Sequence, residues 1–339
     1  MSDRTGSDSG LGTTEEALAA APASGGAIRS ARRGQDRDGR DRDGRNRERR
    51  NRDGRDRERR GPVAKLRQLG IGTSWPAKVS WVFLVAIVLV ALVGPLLISA
   101  DPVRQTSSAM LPFGSPGHLL GTDDLGRDEL ARLVHGARPL LIVAFASTAL
   151  AAVVGTGVGL LAGYAGGAVE QVLMRAVDLA LAFPSILLVI LLVAAAGPGT
   201  TSLVVGVGVS LAPGLARLAR ALAARETARD YIVAARLGGT RTPRVLVQEI
   251  LPNIAGPMVA QIVMTLSVAA GFAAGLSYLG LGIQPPTPDW GYMVQAGQEF
   301  LYSAPRLVVL PATLTLLFVV ACNFVGDDLR DALDPKGSV

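Results

Sequence analysis

The 339-residue chain has one cysteine, Cys322, so no disulfide can form within it. It has two histidines, His118 and His135, too few for a metal site built on imidazoles. Its three lysines, Lys65, Lys78 and Lys336, occupy no GxxxxGK(S/T) phosphate loop, which excludes nucleotide hydrolysis by that device. Charge is absent from five long stretches, 79–100, 139–169, 179–216, 250–288 and 307–326. What charge there is lies elsewhere: residues 29–60 hold fifteen Arg against eight Asp or Glu, so the formal total of +6 belongs to one tail. A composition of 49% hydrophobic residues with charge this segregated excludes an ordinary soluble globule.

A helix crossing a bilayer needs roughly 20 apolar residues. Each uncharged stretch meets that length, and Gly197, Pro198 and Gly199 divide the third by a turn signal. The pattern predicts an all-α membrane protein with six transmembrane helices near 79–99, 139–163, 172–196, 201–222, 254–280 and 306–326. A porin-like barrel would instead show ten-residue alternating segments.

Short cytoplasmic loops keep an excess of Arg and Lys. The tail before the first helix carries that excess, so it is expected inside, the first helix serving as an uncleaved anchor. Counting across the spans also places inside the segment with Arg217, Arg220, Arg225, Arg229, Arg236, Arg241 and Arg244. Both termini are then cytoplasmic, and Arg104, Arg127, Arg132 and Arg138 fall outside.

Residues 1–78 form a separate region with a five-residue repeat from Asp36 to Arg60, beginning DRDGR. Nothing there can bury a core, and the favoured reading is a disordered, charge-mixed tail. The competing reading is adhesion to anionic lipid or RNA through surplus Arg, which the interleaved acids weaken; no aromatic is present for base stacking. Nucleic acid is not expected as a partner.

Gly155, Gly159 and Gly163 recur every four residues, leaving one helix face bare for close packing, and Gly271 with Gly275 repeats the spacing. Asp178 and Arg175 sit three apart, where they can pair, and a snorkelling ion pair is favoured over a proton relay.

The most informative loop is 225–253, RETARDYIVAARLGGTRTPRVLVQEILPN. Thr227 and Asp230 have capping-box spacing, and Gly238 with Gly239 supplies a helix-ending turn. Thr242 caps a second helix with Pro243 at its first position, and Pro252 limits it. Tyr231, Ala234 and Ala235 share a small apolar face suited to docking. A DNA-reading helix pair has a similar outline, but confinement between spans argues against it.

On these residues the loop resembles the coupling loop of permease subunits of ATP-binding cassette importers, whose pattern reads EAA, three residues, Gly, nine residues, then IxLP. Ala234, Ala235, Gly239, Leu251 and Pro252 match it, while Val233 stands in place of the family's Glu and Glu249 in place of its frequent Ile. LLGTDDLGRDELARLVHGARPLL, GYAGGAVEQVLMRAVDLALAFPS, LSYLGLGIQPPTPDWGYMV and the ending GDDLRDALDPK are similar to the dipeptide, oligopeptide and nickel branch, in its C-type permease.

The resemblance implies a transmembrane domain over 79–330, a cytoplasmic coupling loop over 225–253 and a short cytoplasmic tail over 331–339. It implies a second homologous permease, two ATPase subunits that bind the ATP and magnesium, and an extracytoplasmic solute-binding protein, with the chain itself in the cell membrane among lipid. No catalytic, metal or cofactor residue is implied in this chain, and Tyr231, Ala234, Ala235, Gly239, Leu251 and Pro252 would fit the ATPase. Peptide is the first expectation for substrate and nickel or another small solute the second. A secondary transporter or channel without ATP is the rival of another class. Amphipathic helices are expected outside over 122–135, starting near Thr122 or Asp123, and over 285–300, starting near Asp289 with Trp290 and Tyr292 at interfacial depth; the favoured reading is lids lying on the membrane surface, while the resemblance implies a docking surface for the binding protein.

Overall fold

The computed structural model describes residues 74–333, so the charge-mixed repeat and residues 334–339 lie outside the described residues. Nine helices of eight residues or more occur among the described residues: α1 (Trp75–Leu97), α2 (Glu129–Ala165), α3 (Gly167–Ala182), α4 (Ser185–Ala196), α5 (Thr200–Thr227), α6 (Asp230–Leu237), α7 (Leu251–Tyr278), α8 (Trp290–Gly297) and α9 (Arg306–Leu333). No strand occurs among those residues, only isolated bridges at Ser115–His118 and Thr122–Asp128.

Five helical segments are long and apolar enough to cross a membrane, the fourth running from Thr242 to Tyr278. The expected third span is a bent pair, α3 and α4, meeting at 89°. The cause is local: Pro184 has no amide hydrogen and drives Phe183 to an extended φ of −87° and ψ of 136°. Gly197 and Gly199, both at positive φ, then end α4 and admit α5 as the turn signal predicts.

The tightest pairing is α2 along α5. Gly155, Gly159 and Gly163 lie in register against the backbone of Ala212, Ala216 and Arg220, and a Cβ on any of them would come under 3.0 Å of that helix. Rising numbers match rising numbers, so α2 and α5 run parallel, which forces the bent pair between them to return the chain. Gly271 and Gly275 do not repeat the device: no atom of another element lies within 4 Å of a Cβ placed there, so α7 turns these positions to an open side.

Asp178 does not pair with Arg175. It reaches across to Arg217 of α5 at 2.6 Å, and Glu170 pairs likewise with Arg220, because two adjacent helices present longer reach and better lines of approach than neighbours on one helix. The expected helix over 122–135 is split. Residues 122–128 close a looped strap that runs over 101–128, and Asp128, accepting from the Ala131 amide at 2.8 Å, caps α2 itself. Thr122 and Asp123 serve the strap: the Thr122 hydroxyl donates to the Ser108 carbonyl, and the Asp123 carboxylate binds Arg127 at 2.6 Å and Arg132 at 3.4 Å. Three of the four Arg expected outside are thus held by protein groups, Arg138 through the Ala91 carbonyl at 2.7 Å.

Asp289 caps α8 as expected, accepting from the Tyr292 amide at 3.1 Å. Trp290 is not an interfacial anchor. It is 2% exposed, stacked on the bare Cα of Gly136 with its indole donating to the Leu133 carbonyl at 2.8 Å. Helix α8 is therefore nailed to the start of α2 rather than floating on a surface.

Candidate functional site

The elbow between α5 and α7 begins with a helix end, not a capping box. Thr227 is the last residue of α5 and its buried hydroxyl oxygen has no hydrogen-bond partner, while Arg229 occupies the cap position of α6 and its side chain caps no amide there. What fixes α6 is burial of Ile232, fully enclosed in a cluster with Val245, Ile250, Ile254 and residues of α5. The stop predicted at the two glycines occurs. The Gly238 amide donates to the Ala234 carbonyl at 2.9 Å, Gly239 takes φ +76°, and the Thr240 amide returns to the Ala235 carbonyl at 3.1 Å.

The second predicted helix is one turn, Thr242–Arg244, capped by Arg241 without a side-chain bond. Neither Thr242 as cap nor Pro252 as stop is realised. The chain passes through a π-helical turn, Val245–Ile250, and continues through Leu251 and Pro252 into α7. In that turn the Leu251 amide reaches back five residues to the Leu246 carbonyl, and the shifted ladder absorbs the amide that Pro252 lacks. The elbow and the span that follows are one helical rod.

Side chains lock the elbow to three spans. The Tyr231 hydroxyl donates to Glu226 at the end of α5 and accepts from Asn253 of α7 at 3.0 Å; Glu226 also holds Arg229 at 3.1 Å. Partial desolvation, and then the bond to Glu226, push the Tyr231 hydroxyl up to about 12, so it stays a donor. Arg236 stacks over the Tyr164 ring at 3.9 Å and donates to the Tyr164 carbonyl at 3.0 Å, tying α6 to the end of α2.

Of the face expected for docking, Ala234 is exposed and Ala235 half-buried, while Tyr231 turns its polar tip inward. Leu251 is half-buried, and Pro252 and Gly239 are exposed. The outward apolar groups are Val233 and Leu237 on α6 and Val247 on the π turn, with Leu237 85% exposed. Position 233, where Val replaces an acid, thus lies on the open surface. Periodicity could have shown Leu237, four residues after Val233. It could not have shown Arg236, whose partner lies 72 residues away.

Residues 155–338 match the family model described as the binding-protein-dependent transport system inner membrane component. The chain is 41% identical over 260 residues to the di/tripeptide transport system permease protein DppC of Pseudomonas aeruginosa, covering 75% of this chain and 86% of that protein. It is 40% identical over 266 residues to the dipeptide transport system permease protein DppC of Escherichia coli K12, covering 77% and 89%. Among solved structures, an inward-facing MetNI methionine ABC transporter matches at 22% identity with a TM-score of 0.49, over 60% of this chain and 96% of that one.

Proposed function

Since the chain belongs to the family of inner membrane components of binding-protein-dependent transport systems, we propose that it is the permease subunit of an ATP-driven importer of short peptides. The observation that carries this reading is the elbow. An exposed apolar surface of Val233, Leu237 and Val247 is rigidly joined to the ends of α2, α5 and α7, so a push on it reaches three spans at once. Such a joint is of use only with a partner whose own states differ, which fits ATPase subunits docking at that surface.

Five Arg, 225, 229, 236, 241 and 244, surround the elbow and support a cytoplasmic position for it. The strap over 101–128 and helix α8 then face outward, where a solute-binding protein would deliver cargo. A second, related permease completes the path, and ATP and magnesium belong to the ATPase chains. Peptide is preferred over nickel because the relatives are named for di- and tripeptides. The test is reconstitution of the chain with a second permease, ATPases and binding protein in liposomes. ATP-dependent uptake of dialanine is expected; uptake that proceeds equally without ATP would overturn the reading in favour of a secondary transporter.

A further inference from the structure

Helix α5 has two contrasting sides. One is sealed to α2 by the glycine seam, and the other is open, with Gly214 meeting no atom within 4 Å and Arg217 61% exposed. Beside that open side lies a cleft of about 700 Å³ between α3 and α5. Six polar groups line it: Glu170, Gln171, Arg175, Asp178, Arg217 and Arg220. They are ordered as rungs, Asp178 with Arg217 and Glu170 with Arg220, and eight residues of α3 separate the rungs by about 12 Å along the axis. Arg175 lies between them, exposed, with no ion pair or hydrogen bond to any described residue.

Charged groups on membrane-crossing helices are costly against acyl chains and occur where water reaches them. The Asp178–Arg217 pair is more than half exposed on both sides, so this chain does not shield it, and leaving it against acyl chains would be costly. The alternation of sign does not fit a phosphate headgroup either, which would meet the carboxylates of Asp178 and Glu170. A molecule carrying one positive and one negative end does fit. Residues three apart on a helix hold their Cβ atoms about 5–6 Å from each other, and a dipeptide spans roughly 7 Å at about 3.5 Å per residue.

We propose that the α3–α5 cleft is a station on the translocation path that holds a peptide by its charged ends, Arg175 receiving the terminal carboxylate and Asp178 the terminal ammonium. This rests on the peptide-importer reading and adds where the chain touches its cargo. Arg217 holds the Asp178 carboxylate aligned until cargo arrives, and Glu170 with Arg220 repeats the arrangement one step nearer the elbow. Because Arg217 and Arg220 ride on α5, which the elbow moves, closure of the elbow alters both rungs relative to α3. The grip on cargo therefore depends on the state of the ATPase.

The experiment uses the full complex in liposomes, with dialanine and its C-terminal amide as probes. Arg175→Gln is expected to lower dialanine import about tenfold, the loss of one charge-assisted bond, with Arg175→Lys restoring much of it. Copurification of the partner subunits ensures that only assembled variants are scored. In the second arm, Gln171→Cys, exposed on the cleft wall with Arg175 left in place, is labelled with a negatively charged, water-soluble thiol reagent; the chain's own Cys322 is buried and silent. Labelling that dialanine slows and the amide does not supports the station. If the wild type imports dialanine but Arg175→Gln imports equally well, or if Gln171→Cys reacts only with a lipid-partitioning maleimide, the station is overturned while the importer reading stands. A wild-type complex that imports no peptide overturns both.

Discussion

Gly239 and Tyr231 divide the work of the elbow. Gly239 sits at φ +76° with no neighbour within 4 Å of a Cβ, so a side chain there meets no clash and suffers only from the backbone. A Gly239→Val change should then cost about 1–2 kcal/mol locally and reset the angle at which Ala234 and Leu237 are offered. ATP hydrolysis should persist while dialanine uptake per ATP falls roughly fivefold or more, the factor about 1 kcal/mol carries; an unchanged ratio would count against a coupling role. Tyr231→Phe removes the bridge between Glu226 and Asn253 and should lower thermal stability by about 0.5–1 kcal/mol, the low range suiting a partly exposed pair. The sign with pH follows from the raised hydroxyl. Its contribution is fully present below the ordinary value of 10.0 and is lost as pH rises through about 12, so the melting difference between wild type and variant should be flat to about pH 10 and shrink above it.

Among elements, the glycine seam and the open glycines make a paired contrast. Gly159→Leu drives a branched side chain into the Ala216 carbonyl and Ala219, where neither helix can yield, and should destabilise the chain by about 1–3 kcal/mol. Gly271→Ala, identical in spacing logic, meets open space and should leave the melting temperature of the isolated chain unchanged or raised, since alanine is the better helix former. Thermal unfolding of the two variants in detergent distinguishes them. The same contrast shows why part of the fold is legible and part is not. Span positions follow from uncharged length, and the Asp289 cap and the Gly239 stop from local chemistry. Which face of α7 meets a neighbour is a tertiary fact that four-residue spacing does not contain. Pro184 and Pro252 look alike as breakers, yet one bends the chain through 89° and the other is carried inside a rod, because a π turn precedes only the second. Asp178 likewise finds Arg217 rather than Arg175 because α3 and α5 approach each other, an approach set by the bend at Pro184.

For the whole molecule the decisive quantity is which end of the bundle faces the ATPases. The parallel run of α2 and α5 and the return through α3 and α4 put Ala165, Thr227 and the elbow at one end, with the strap, the start of α2 and helix α8 at the other. In the proposed reading the Arg excess around the elbow puts it on the inner side. The strap's Arg127 and Arg132 do not contradict this, for Asp123 pairs with both and Asp124 lies 3.7 Å from Arg127, two acids against two Arg, and Arg306 is engaged by the Leu111 and Thr122 carbonyls at 2.7 and 3.1 Å. A cysteine placed at Leu237, exposed and free of the locking contacts, reports the orientation against the silent background of Cys322. Leu237→Cys should react with a membrane-impermeant thiol reagent in inside-out vesicles and resist it in intact cells, and adding the ATPases should protect it. Reaction in intact cells would place the elbow outside and remove the basis for ATP coupling. A cysteine at Leu119 on the strap, 71% exposed, should give the mirror-image result, so a leaky vesicle preparation, which labels both, cannot imitate the expected pattern.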